Sequence, residues 1–200
     1  MEAAVEAIAE LGFELCTMDD IASRAGVAHG TVYRYFANKE AVLYAVIAEK
    51  LANLAEAINE ALTDPSGEGV QLAIRRFLSH VSSNRDLARI WAELSATPSR
   101  ADLRLRLRAP FIDAIEGQVN KAKRSHDLDA AVDSAVAARA LGAMVDNFAY
   151  VWFVLEDRPG NDAELDRLAV TLAILWNGAI GGTAAGDAGS FPQLRTATGP

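Results

Sequence analysis

Apolar residues recur every three or four positions in block after block of this chain, and that helical period restricts it to an all-α fold. Alternating strand patterns and Asn-Gly or Asp-Gly hairpin turns are nearly absent. Alanine, the best intrinsic helix former, supplies 39 of the 200 residues. The blocks are separated by breakers at Thr63-Asp64-Pro65-Ser66-Gly67, Thr97-Pro98-Ser99 and Asp157-Arg158-Pro159-Gly160-Asn161. The spacing predicts about nine helices: a short one around Val5–Ala9, then 18–25, one opening near His29 and running to 36, 39–62, 69–83, 86–96, 102–123, 129–156 and 162–180. Pro110 falls inside the seventh, where a kink or a boundary is expected. Beyond position 180 the periodicity stops, and 181–200 reads as a flexible tail.

With 19 basic and 27 acidic residues the chain carries a net charge of −8, so any contact with a polyanion has to come from a local patch. One cysteine, Cys16, allows no disulfide framework and no metal cluster, which suits a reducing compartment. Met1 leads straight into Glu2 with no apolar leader, and the most apolar stretch, 140–155, is interrupted by Asp146 and Asn147 and is too short to span a bilayer. A cytoplasmic protein without membrane contact is expected, binding no metal and no cofactor.

The chemistry concentrates in a short segment near the N-terminus. Thr17 with Asp20 three residues later forms the pattern of a helix-start capping box. Ile21, Ala22 and Ala25 give that helix a buried stripe. Gly26 then stands where a helix end needs a left-handed residue, and Val27 is placed to plug the corner. Two short helices about a Gly-containing turn make a helix-turn-helix, over about 17–36, whose second helix fits a DNA major groove. From Ser23 to Lys39 the chain holds Arg24, Arg34 and Lys39, the titratable His29, and no acid. Tyr33 and Tyr35 add phenol donors, Thr31 a methyl and a hydroxyl, and Gly30 a gap through which backbone could approach base edges. The competing readings are a generic helical corner with its aromatics in the core, and a surface histidine with no partner.

The run Gly12-Phe13, Thr17-Met18-Asp19-Asp20-Ile21-Ala22, Ala25 through Phe36 and Asn38-Lys39-Glu40 resembles the DNA-binding domain of the tetracycline-repressor (TetR) family of bacterial regulators. The resemblance covers about the first 47 residues; the remainder is similar in architecture alone. It implies a homodimer that binds palindromic operator DNA, usually as a repressor, and is released by a small molecule. By position it implies that Thr17 and Tyr35 meet phosphates, that His29, Gly30, Thr31, Tyr33 and Arg34 form the recognition surface, and that Lys39 contacts a phosphate from the fourth helix. The chain departs from the family in lacking a basic N-terminal arm and in having Ala28 where a capping Ser is common, a loss worth about 1 kcal/mol. The expected organisation is a DNA-binding domain over 1–47 and a ligand-binding and dimerisation domain over 48–180.

In the second domain the helix over 129–156 is apolar nearly all round, so both of its sides must be covered. Leu141 and Val145 on it, with Leu172 and Trp176 on the last helix, are the expected dimer contacts in a four-helix bundle; the alternative is a core within one chain. A ligand cavity is expected among the central helices, lined by Phe77, Trp91, Phe111, Met144, Phe148 and Trp152 with Asn147 as a polar anchor. An apolar, lipid-like effector suits such walls. Arg100, Arg104 and Arg108 make one basic ridge, either a solvated face or a seat for an anionic ligand such as an acyl-CoA. Hydrolase, metalloprotease, phosphate-loop and dinucleotide motifs are missing, so no enzyme is expected. A partner-binding helical adaptor remains as the other alternative, but it leaves the cationic stretch from Ser23 to Lys39 unexplained.

Overall fold

The computed structural model describes residues 2–64, 66–95 and 101–180; the expected tail over 181–200 and Arg100 of the basic ridge lie outside them. The described residues form helices and turns and contain no strand. The helices are α1 (Glu2–Leu11), α2 (Met18–Arg24), α3 (His29–Tyr35), α4 (Lys39–Leu62), α5 (Gly69–Ser83), α6 (Arg85–Ser95), α7 (Ala101–Arg124), α8 (Ser134–Tyr150, continued over Val151–Leu155 by a π-helical turn) and α9 (Asp162–Ile180). No described helix is long and apolar enough to cross a membrane.

Local chemistry sets most of these bounds. Thr17 caps α2: its hydroxyl accepts from Asp20 N–H, while the Asp20 carboxylate accepts from Thr17 N–H at 2.9 Å. The Thr17 hydroxyl also donates to the Asp20 carboxylate at 2.6 Å, and this bond first, then the one from Thr17 N–H, holds the Asp20 carboxyl below the usual carboxylate range. At the other end of α2, Gly26 takes φ +66°, so Val27 N–H reaches Ala22 C=O and Gly26 N–H reaches Ser23 C=O. Val27 itself stays 41% exposed and does not fill the corner as expected. Asn38 caps α4 by accepting from Ala41 N–H at 2.8 Å, whereas Ala28 gives α3 no side-chain cap. Helix α7 runs through Pro110 as one element and ends with His126 in the left-handed region at φ 63°. Helix α8 starts later than its apolar pattern suggests: Asp129 folds 129–132 into a turn by accepting from Ala131 N–H, and Asp133 supplies the cap.

Two apolar cores follow. The first gathers Ile8, Ile21, Val32, Val42 and Val46 from α1–α4 with Phe13 from the turn after α1, and is completed by Leu87 and Ile90 of α6. The second is built where α5 packs on α9 and α7 on α8, around the fully buried Leu78, Val119, Ala149 and Phe153. Arg75 of α5 ties α9 through Asp162 and Asp166. Arg85 binds the turn before α9, through Asp157 and the Arg158 carbonyl.

Candidate functional site

Helix α3 carries Val32 inward, against the first core, and that single anchor turns the rest of its surface outward. Tyr33 is 47% and Tyr35 67% exposed; His29, Gly30 and Arg34 are exposed and Thr31 is half-buried. His29 and Tyr33, one helical turn apart, bring their rings to 4.6 Å. The Arg34 guanidinium lies 5.0 Å from the Tyr35 ring and donates to the Tyr35 hydroxyl at 3.0 Å. The result is a solvent-facing plate of rings with one guanidinium beside them, and a Cβ at Gly30 would meet no atom within 4 Å.

The cationic character is narrower than the sequence suggests. Arg24 is held by Glu10 and Glu6 of α1, and His29 Nδ1 is in contact with the Asp19 carboxylate. Lys39 gives its ammonium to three backbone carbonyls, those of Phe13 (2.7 Å), Glu14 (2.9 Å) and Cys16 (3.0 Å). In this structure it is therefore a loop clamp, and no donor is left over for the phosphate contact expected of it. Among the described residues from 23 to 39, Arg34 is the arginine or lysine held by neither a carboxylate nor a carbonyl.

A second candidate site lies deeper. A cavity of about 540 Å³ opens between α4, α5, α6, α7 and α8, and a smaller one of about 120 Å³ adjoins it; Leu51, Phe77, Trp91, Arg108 and Asp146 line both. The small chamber is walled by apolar side chains such as Ile58, Ile74 and Phe111. The larger one adds His80, Asn84, Arg104, Asn147 and Tyr150. Arg108 pairs with Asp146 at 3.0 Å where the two meet. Burial and the charge of Lys50 push the His80 pKa down, so the imidazole is favoured in its neutral form.

Four of the seven side chains expected to line the cavity do so: Phe77, Trp91, Phe111 and Asn147. Met144, Phe148 and Trp152 do not. They recur every four residues on another side of the helix, half-buried against the second core, with Phe148 stacked on Trp152 and Arg158 and Arg167 over the indole. Sequence reasoning missed His80, Asn84 and Tyr150; the signal available was the four-residue spacing of His80 and Asn84, one helical turn.

The four expected dimer contacts lie inside the chain. Leu141, Val145, Leu172 and Trp176 are at most 7% exposed within one chain and belong to its own core. What α8 and α9 leave outside is a different apolar set: Val136, Val170, Ile174 and Leu175, each 40% exposed or more.

Residues 1–46 match the family model described as bacterial regulatory proteins, tetR family. Over 180 residues, 88% of this chain and 89% of the relative, the sequence is 27% identical to a protein named fatty acid metabolism regulator protein from Bacillus subtilis (strain 168). Among solved structures, the transcriptional regulator FadR from Bacillus subtilis, in complex with stearoyl-CoA, superposes with a TM-score of 0.79 at 24% identity, covering 90% of this chain and 96% of that one. The fatty acid degradation regulator FadR from Bacillus halodurans gives 0.78 at 22% identity, with the same coverage. The helix-turn-helix turns the exposed face of α3 to solvent and is set on a helical body of the same fold as these regulators. Residues 1–46 thus carry the DNA-binding domain of the tetR family of bacterial regulatory proteins, and over most of its length the chain is similar to a fatty acid metabolism regulator.

Proposed function

We propose that this chain binds palindromic operator DNA as a homodimer, through a DNA-binding domain over 1–47, and is released by an acyl-CoA-like molecule seated in the body formed by 48–180. Twofold pairing through the exposed Val136, Val170, Ile174 and Leu175 would bury an apolar surface that a lone chain leaves in water. The pair then presents two α3 helices, which must sit about 34 Å apart to enter successive major grooves. Thr17 and Tyr35 face the phosphates, and His29, Gly30, Thr31, Tyr33 and Arg34 the groove. The cavity suits a molecule with an apolar part and an anionic or polar part: hydrocarbon against Ile58, Ile74 and Phe111, polar groups toward Arg104, Arg108 and Asn147. The stearoyl-CoA held by the Bacillus subtilis FadR structure supports that ligand class.

The observation that carries the reading is the double duty of α6. Leu87 and Ile90 close the core of the DNA-binding unit, while Leu87, Ala88, Trp91 and Ala92 line the larger cavity. A ligand that fits best with α6 displaced therefore acts on the placement of α1–α3, and it releases DNA by its differential affinity for the two arrangements. The test is fluorescence anisotropy on a duplex selected from a randomised pool, titrated with acyl-CoAs of increasing chain length. Submicromolar binding reversed by one of them is expected; no duplex selected at low salt refutes DNA binding, and binding indifferent to every acyl-CoA refutes the effector class.

A further inference from the structure

A lysine in the first turn of a helix opposes the positive end of the helix dipole, so something must offset its placement. For Lys39 the structure supplies that offset. Its side chain crosses 23 to 26 sequence positions to reach the carbonyls of Phe13, Glu14 and Cys16, at 2.7, 2.9 and 3.0 Å. An ammonium has three N–H donors, and all three are used. The same nitrogen lies 4.9 Å from the centroid of the buried Phe13 ring. The three carbonyls belong to the segment that turns α1 into α2, and the residue after Cys16 is Thr17, the cap of α2. One ammonium thus fastens the start of α4 to the end of α1 and the start of α2, beside Asn38, which caps α4.

We infer that Lys39 is a positioning residue, which sets Thr17 and the α2 N-terminus in DNA-reading register, and not a phosphate contact. This rests on the DNA-binding reading above. Moving the ammonium to a phosphate would cost three charge-assisted hydrogen bonds at once. Two consequences separate the roles. A phosphate contact tolerates arginine, which keeps the charge, whereas a point-charge clamp on three converging carbonyls does not accept a planar fork. A phosphate contact also contributes to the salt dependence of binding, and a clamp does not.

The experiment measures affinity of the full-length protein for the selected duplex at 50, 100 and 200 mM salt, for wild type, Lys39→Arg, Lys39→Gln, Thr17→Ala and the Lys39→Gln/Thr17→Ala double variant, all well below their unfolding midpoints. Expected are losses of about tenfold for both Lys39 variants, a salt slope equal to wild type, and a double variant no weaker than its weaker parent, because Thr17 is already misplaced. Wild-type affinity in Lys39→Arg, a slope shallower by about 1.8 for the dimer in Lys39→Gln, or no loss in either variant overturns the inference. Should Lys39→Gln fail to fold, reductive methylation of the wild-type protein decides: an amine protected without DNA supports the clamp, and one protected only on adding duplex overturns it. Failure of the wild type to bind any duplex defeats the DNA-binding reading instead, and the two failures are distinguishable.

Discussion

Arg34→Ala tests the reading face directly. Arg34 sits on the exposed side of α3, braced by the Tyr35 ring and hydroxyl, and among the described residues no carboxylate holds it. Its charge is therefore available to the polyanion in a way that the charges of Arg24 and Lys39 are not. In the proposed dimer two Arg34 side chains bring their charge into the grooves between the phosphate rows, so the alanine variant displaces about two fewer counterions. Each phosphate contact contributes about 0.9 to the slope of log affinity against log salt, and the slope becomes shallower by about 1.8. Between 50 and 200 mM salt, a fourfold change, the ratio of wild-type to variant affinity then shrinks by about twelvefold. The assay is anisotropy on the selected duplex at four salt concentrations, with circular dichroism to verify that α3 is intact. A ratio that stays flat across the series refutes the placement of Arg34 against DNA, and with it the orientation assigned to α3.

Other outcomes follow from the same structure. Ile174→Glu puts a charge in the exposed α9 face and is expected to convert a dimer into single chains by light scattering; an unchanged mass would move the interface elsewhere. Leu78→Ala, at a side chain with no exposure in the second core, is expected to cost 2 to 5 kcal/mol in denaturant unfolding, roughly as for other buried leucines. His126→Gly removes a left-handed histidine at the end of α7 and is expected to stabilise by about 1 kcal/mol, read as a higher unfolding midpoint. Because burial and Lys50 lower the His80 pKa, its stabilising contribution is complete above the unfolded value of about 6.5 and is lost as pH falls through the folded value. His80→Gln is expected to flatten the urea midpoint between pH 7.5 and 5.5.

What the sequence discloses and what it withholds divide along a physical line. The bounds of α4, α5 and α9 follow from caps and breakers within a few residues, and they appear where the pattern puts them. So does the exposure of Tyr33 and Tyr35, because one buried Val32 fixes which way a short helix faces. Partners distant in sequence are another matter. A helix apolar all round announces that every side is covered without saying by what, so Leu141 and Val145 turn out to face their own chain and Phe148 and Trp152 turn away from the cavity. Lys39 reads as a free cation until the carbonyls of Phe13, Glu14 and Cys16 are seen around it. Asp146 reads as an anomaly until Arg108, 38 positions earlier, is found beside it.

The π-helical turn over Val151–Leu155 has a consequence for anyone aligning this chain with others. Glu156 N–H bonds to the Val151 carbonyl, one position farther back than in an α-helix, so one residue is inserted into the winding. Each inserted residue rotates everything downstream by about 100°, the angular step of the helix. An alignment that numbers α8 as uninterrupted heptads will give every position after 151 the wrong neighbour. A shortened chain lacking one residue there would regain even winding while swinging Phe153 out of the place it now fills.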